Sequence, residues 1–129
     1  MTPEIAQSAE WADPVATSRE VLEHATGRWG ALTLAALIDG PLRFAQLGRA
    51  VRGISDRMLG QTLQRLEGHG LVSRTQHSTE ALRVDYALTD LGRPVALSVR
   101  ALIDTIRDQL PGILEHHHRQ PAPPQGESL

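Results

Sequence analysis

The chain has 129 residues, a formal net charge of −2 and no cysteine. Without cysteine there are no disulfides, thiolate metal sites or thiol switches. No apolar run approaches the roughly 18 residues of a membrane span, and the polar, acidic segment Met1–Asp13 is unlike a secretory signal peptide. We therefore expect a single folded domain in the cytoplasm with no membrane contact.

Positive charge is concentrated in the middle of the chain. All 13 cationic residues are arginine, and residues 43–100 contain nine of them against five acidic residues, whereas both flanks are net acidic. A basic segment between acidic ends is typical of a surface that binds a polyanion, although chance scatter on a solvated surface gives the same count.

Three helices are predicted in the first half of the chain. A helical repeat with spacings of 3, 4 and 3 begins after Asp13 and ends before Gly27. The segment 29–38 is apolar nearly all round, as a buried central helix would be. The turn residues 39–41 end it, and an apolar repeat over residues 44–51 predicts a third short helix.

A capped fourth helix follows at once. Ser55 is a favourable N-cap, Asp56 suits the positive end of the helix dipole, and Gly70 stands where a left-handed C-terminal glycine belongs. One face of this helix carries the apolar stripe Leu59, Leu63 and Leu66.

A β-hairpin and a long helix complete the predicted order. Residues 71–75 and 83–88 read as paired strands around a polar tip. Thr89 caps the last helix, whose apolar positions extend to residue 110, and Pro111-Gly112 stops or kinks it. We expect a folded domain at 13–114 between a flexible segment at 1–12 and a disordered tail at 115–129.

Two short helices joined by a tight turn and followed by a hairpin predict a mainly α fold with a small β-hairpin, the winged helix-turn-helix. In such a fold the fourth helix would enter the DNA major groove, where glutamine pairs with adenine and arginine with guanine. The candidate residues on this helix are Ser55, Arg57, Gln61, Gln64 and Arg65. The alternative is an ordinary amphipathic helix with a solvated polar face.

Candidates for DNA contact also lie outside this helix. Arg83 begins the second strand and can reach phosphate or the minor groove. Arg43 and Gln46, near the start of the third helix, are candidate backbone contacts. Gly60 inside the fourth helix either permits close approach to DNA or is neutral.

Metal and catalytic chemistry have little support. His116, His117 and His118 are consecutive in the expected tail and do not preset a tetrahedral site. His24, His69 and His77 are isolated in sequence, which favours surface or partly packed histidines. There is no phosphate-binding loop or nucleophile elbow. We predict no cofactor, no metal site and no enzymatic activity, and a small His/Asp enzyme is the weakest alternative.

From Asp13 to about Leu110 the chain resembles the HxlR-type transcriptional regulators, a winged-helix group. The matching positions follow the family's order and spacing. They are Asp13-Pro14-Val15, Gly27-Arg28-Trp29, the run from Leu37 to Phe44, Gly53-Ile54-Ser55, Leu59, Leu63, Leu66-Glu67, Gly70-Leu71-Val72, Arg83-Val84-Asp85-Tyr86 and Leu88-Thr89-Asp90-Leu91-Gly92.

The resemblance implies a homodimer that binds double-stranded DNA at inverted-repeat operators, most often as a repressor. By resemblance, the helix that begins at Ser55 is the recognition helix and Arg83 is the wing arginine. The first and last helices would form the dimer interface. Its candidate residues are Val15, Leu22, Val95, Val99, Leu102, Ile106 and Leu110.

Two departures from the family pattern bear on regulation. Many members carry a sensing cysteine just before the Pro-Val pair, where this chain has Asp13, so thiol sensing is excluded. The wing tip, residues 78–82, lacks the prolines often found there. The chain would then respond to another signal or to none. One candidate effector is a small apolar molecule between the terminal helices and the core, lined by Trp11, Trp29 or Tyr86, unless these aromatics are simply core. The alternative function is a winged-helix protein–protein interaction module without specific DNA binding.

Overall fold

The computed structural model describes residues 13–78 and 83–120, which form helices around one small hairpin. The predicted fold class, mainly α with a β-hairpin, is confirmed. The expectations for residues 1–12 and 121–129 lie outside the described residues. In chain order the elements are α1 (Pro14–Thr26), α2 (Arg28–Ala36), α3 (Phe44–Ala50), α4 (Asp56–Gly68), β1 (Val72–Ser78), β2 (Arg83–Leu88) and α5 (Gly92–Arg119).

Local signals place the ends of α1 and α4. The Asp13 carboxylate accepts a hydrogen bond of 2.9 Å from the Val15 N–H. At the start of α4, the Ser55 hydroxyl accepts one of 3.1 Å from the Met58 N–H, as predicted for an N-cap. Gly70 follows α4 with φ of 77°, a left-handed conformation that favours glycine.

The core lies where α2, α4 and the first half of α5 meet. Leu34 and Leu37 from the α2 region are fully buried, and the predicted stripe of α4 lies against them. Leu59 and Leu66 are 0% exposed and Leu63 is 2% exposed. Burial of three leucines on one side therefore fixes which face of α4 is presented to solvent.

A short backbone segment just before α3 joins the hairpin to the helix-turn-helix. β1 and β2 are antiparallel, with Arg74 opposite Tyr86. Leu42, just before α3, forms an isolated bridge to Tyr86 through N–H···O bonds of 2.9 and 2.8 Å. The hairpin therefore has a defined position beside α3 and α4.

The last helix runs further than its sequence suggests. The helix has Leu91 at its N-cap position, and the hydroxyl of Thr89, the predicted cap, accepts a 3.0 Å bond from the Gly92 N–H. However, α5 continues through Pro111 to Arg119, so the prediction that the tail begins at 115 is wrong for residues 115–119. From Asp104 onward every residue of α5 is exposed. Water can therefore bond the carbonyl that Pro111 leaves without a donor.

The hydroxyl of Thr33 is a buried polar group without a partner. Thr33 is 0% exposed, and its Oγ1 has no hydrogen-bond partner among the described residues. We expect Thr33→Val, which keeps the shape and removes the hydroxyl, to raise the free energy of unfolding by about 1 kcal/mol. Urea denaturation measures this change. Thr105→Val is the control, because that hydroxyl is exposed and bonds the Ala101 carbonyl; a loss of stability in Thr33→Val alone would contradict the prediction.

Candidate nucleic-acid interface

The exposed side of α4 carries the side chains predicted to read DNA. Arg57, Gln61 and Gln64 line a concave surface of about 550 Å³ between α4 and the hairpin, together with Arg74 and Tyr86. Arg57 and Gln64 are exposed and Gln61 is half-buried. The structure therefore groups amide and guanidinium donors next to the wing on the face opposite the buried leucine stripe, and the carboxylates of Asp56 and Glu67 line the same surface.

Ser55 caps α4 beside this surface, whose lining begins with Asp56 in the first turn of the helix. Ser55 is exposed, and its oxygen is already used in capping the Met58 N–H. Its O–H and the terminal N–H groups of α4 are the donors that remain for a phosphate oxygen. Asp56 adds a negative charge in the same turn, so the end of α4 suits one well-placed phosphate rather than several.

Arg65 does not join the other predicted residues of α4. It lines a separate cavity with His24, Trp29 and Met58, between α4 and the first two helices. Eight residues after Arg57, it is turned by about 80° around the helix axis. The structure therefore places Arg65 on the flank of the surface formed by Arg57, Gln61 and Gln64.

The wing arginine is held by its own strand. The side chain of Arg83 is 51% exposed, and its Nε lies 3.8 Å from Oδ1 of Asp85. The other carboxylate oxygen of Asp85 lies 2.8 Å from Nε2 of His77 on β1. The Asp85 side chain is 17% exposed, but at 3.8 Å a contact to a half-exposed arginine is weak, so the guanidinium of Arg83 remains a candidate for phosphate contact.

Arg43 and Gln46 lie at the start of α3, close to the hairpin. The Gln46 side-chain oxygen accepts a 2.9 Å bond from the Arg43 N–H. That oxygen therefore caps α3. Only the side-chain N–H₂ of Gln46 remains to donate a hydrogen bond to the DNA backbone. Arg43 is exposed.

Sequence reasoning missed Arg74 as a member of this surface. Arg74 is exposed on β1, two residues after the buried Val72, and shares the concave surface with Gln61 and Gln64. The signal was available, because alternation along a strand puts residues 72 and 74 on one face. Which helix lies beside that end of the strand depends on the tertiary packing.

The predicted dimerisation residues fall into two groups. Val99 is 6% exposed within the protomer's own core, and Val95 packs against that core. The others are exposed apolar side chains at 41–63%. They are Val15, Leu22, Leu102, Ile106 and Leu110. Because α5 continues past Pro111, Ile113 and Leu114 extend this exposed set.

A groove of about 630 Å³ separates α1 from α5. Its walls are mostly apolar, with Val21 and Leu22 on one side and Val95 and Leu102 on the other. Of the aromatics considered for an effector cavity, Trp29 and Tyr86 are half-buried and line other surfaces, and Trp11 lies outside the described residues. Among the residues described, no helix has the length and apolar character needed to cross a membrane.

A family model described as HxlR-like helix-turn-helix matches residues 25–113. The chain is 46% identical over 97 residues to the uncharacterized HTH-type transcriptional regulator YtfH of Escherichia coli, covering 75% of this chain and 77% of that protein. It is 40% identical over 78 residues to an uncharacterized HTH-type transcriptional regulator of Methanothermobacter thermautotrophicus, covering 60% of each protein.

Solved structures give the same result. The putative transcriptional regulator YtfH from Salmonella typhimurium matches with a TM-score of 0.75 and 46% identity, covering 79% of this chain and 91% of that one. The redox regulator HypR in its oxidized form matches with a TM-score of 0.65 and 29% identity, covering 74% and 95%. These relatives are regulators rather than enzymes, and they support a DNA-binding role. The chain belongs to the HxlR-like helix-turn-helix family of transcriptional regulators.

Proposed function

We propose that this chain is a homodimeric repressor that binds an inverted-repeat DNA operator through α4 and the wing. The observation that carries the proposal is the exposed face of α4. Three buried leucines anchor the opposite side, and the solvent side presents Arg57, Gln61 and Gln64 beside the hairpin. A helix so presented fits the major groove, whose base edges offer partners for amides and guanidinium groups.

The candidate DNA-binding residues divide into those that contact bases and those that contact the DNA backbone or the minor groove. Arg57, Gln61 and Gln64 would read base edges. Ser55 and the first turn of α4 would bind a phosphate. Contacts to the DNA backbone or to the minor groove are also expected from Arg43, Gln46, Arg74 and Arg83.

Dimerisation is supported by apolar surface that the protomer leaves uncovered. The exposed side chains of α1 and α5 flank the groove between these helices and continue along the free half of α5. Such contiguous apolar surface is typical of a protein interface. A twofold dimer would place two copies of α4 on half-sites separated by one or two DNA turns, about 34 Å each.

Regulation in this chain must use chemistry other than thiol oxidation, because it has no cysteine. One structural neighbour is named a redox regulator, but in this chain a cysteine-based redox switch is excluded. Because the proposed partner is chromosomal DNA, the protein would act in the cytoplasm, and repression would follow from blocking polymerase at the operator.

The base-reading role of Gln61 predicts a change in specificity. Gln61→Ala should lose about 1–3 kcal/mol of discrimination at one base position and leave the rest of the site unchanged. The measurement is selection of genomic fragments on purified protein near 150 mM salt, followed by sequencing. Arg65→Ala is the matched control on the flank of α4, and we expect it to keep the wild-type preference.

Each outcome of the selection experiment tests one part of the proposed function. Enriched fragments that share an inverted repeat support a specific dimeric regulator. An unchanged preference in Gln61→Ala would show that another face of α4 enters the groove. Uniform weak retention of all fragments by the wild type would favour the protein–protein interaction module instead.

A further inference from the structure

Two histidines that are far apart in sequence meet between α1 and the end of α4. Nδ1 of His24 lies 2.6 Å from Nε2 of His69, and the ring centroids are 4.9 Å apart. His24 is near the end of α1, and His69 is the C-cap of α4. Both histidines are isolated in sequence, where they gave no reason to expect a metal site, but the fold brings them together.

A carboxylate completes the cluster. Oε1 of Glu20 lies 3.9 Å from Nε2 of His69. Glu20 and His24 are four residues apart on α1, which puts both on one helix face. Within residues 13–78 and 83–120, one group of three histidine or acidic side chains has ligand atoms that all lie within 4.8 Å of one another, and it is Glu20, His24 and His69.

The geometry suits a small cation that binds nitrogen. At most one of the two facing ring nitrogens carries the bridging proton, so at least one lone pair points at their shared space. Two nitrogens on a tetrahedral zinc lie about 3.3 Å apart, so the rings would separate by about 0.7 Å. Two imidazoles and one carboxylate suit zinc and similar transition ions, whereas magnesium prefers oxygen ligands.

The cluster links the proposed reading element to the proposed dimer element. Leu22 and Val15 lie on the side of α1 that faces away from Glu20 and His24, since residues 20 and 22 are separated by about 200° around the helix. An ion held by α1 and by His69 would therefore fix the end of α4 relative to the helix that borders the dimer groove.

We infer that Glu20, His24 and His69 bind a divalent transition cation of the zinc class, and that this ion is the effector that strengthens operator binding. The regulatory half of this inference rests on the proposed function; the binding half does not. The ion fixes the spacing of the α4 helices of the two protomers in the free dimer. Less conformational entropy is then lost when the dimer binds DNA. We expect about a tenfold tighter operator complex with zinc, and by linkage a tenfold tighter zinc site on DNA.

The first experiment measures binding of ZnCl₂ to the full chain by isothermal titration calorimetry, without DNA. His116, His117 and His118 are replaced by glutamine in a background variant, because they offer a competing site. That background should bind one zinc per chain, and MgCl₂ should not bind. His69→Gln should weaken zinc binding by at least about 100-fold.

Further variants separate a lost ligand from a lost fold. Glu20 is 62% exposed, so Glu20→Gln removes the carboxylate without disturbing the core, and we expect about tenfold weaker binding. His77→Gln, a histidine outside the cluster, should bind zinc as the background does. Equal zinc affinity in the background, His69→Gln and Glu20→Gln, or no zinc binding in the background, overturns the site.

The second experiment measures affinity for the selected operator with and without ZnCl₂. The background should bind about tenfold more tightly with zinc, and Glu20→Gln should show a much smaller change. Zinc binding without any change in operator affinity overturns the effector role. If no fragment is selected at all, the proposed function fails, and the calorimetric result still decides whether the site exists.

Discussion

Replacing Gly92 with alanine should lower the free energy of unfolding by about 3 kcal/mol, a large part of the stability of a domain this size. Gly92 is buried at the start of α5. A Cβ built there would lie 1.9 Å from the carbonyl oxygen of Leu71 and 2.7 Å from its carbon. That oxygen also accepts a hydrogen bond of 3.1 Å from the Thr89 N–H. The contact is backbone against backbone, so no side chain can rotate to relieve it.

Thermal unfolding followed by circular dichroism measures this effect. We expect the Tm of Gly92→Ala to fall by roughly 10–20 °C. Gly112→Ala is the matched control in the same helix, where an added Cβ meets nothing within 4 Å, and it should keep or raise the Tm. Equal Tm values for wild type and Gly92→Ala would show that α5 and the backbone of Leu71 separate at little cost.

Replacing Ile106 with glutamate should convert the proposed dimer to a monomer. The Ile106 side chain is 51% exposed in the protomer and lies beyond the part of α5 that packs on the core. The substitution therefore spares the fold but would bury an unpaired carboxylate in the interface. Light scattering should give the 14.1 kDa of one chain instead of twice that mass. Operator affinity should fall on the order of 100-fold, because the two half-sites are no longer linked.

Leu97→Glu is the matched control for this change. Leu97 is 49% exposed on the same helix, and nine residues place it on the opposite side from Ile106. We expect Leu97→Glu to remain dimeric with wild-type operator affinity. If Ile106→Glu stays dimeric and Leu97→Glu does not, the interface lies on the other side of α5.

The exposed polar side of α4 could be predicted from sequence because it depends on local rules. The period of the buried leucines determines which side chains are opposite, and Ser55 determines where the helix begins. The same reasoning could not separate Arg65 from Gln64. Helix periodicity shows that both side chains are exposed, but it does not show which other elements lie beside each of them. The packing of α1 and α2 against one flank makes that distinction.

The end of α5 shows a case in which a local sequence signal gives the wrong helix boundary. Pro111 followed by Gly112 is a strong stop signal in sequence. The helix nevertheless continues to Arg119, where Arg119 and Glu115 form an i,i+4 contact of 3.4 Å. In an exposed helix, water compensates the carbonyl that proline leaves without a donor, so proline there is less disruptive than in a buried helix.

The sequence by itself determined the order of elements, the helix caps, the leucine stripe of α4 and the family, since each is written in spacings of a few residues. Only the tertiary structure decided which distant groups meet. Arg74 joins Gln61 because the hairpin packs beside α4, and Gly92 must be glycine because α5 crosses the backbone of Leu71. His24 and His69 are 45 positions apart, and no periodicity reaches that far. Their meeting depends on how α1 packs against α4, which is a property of the whole core.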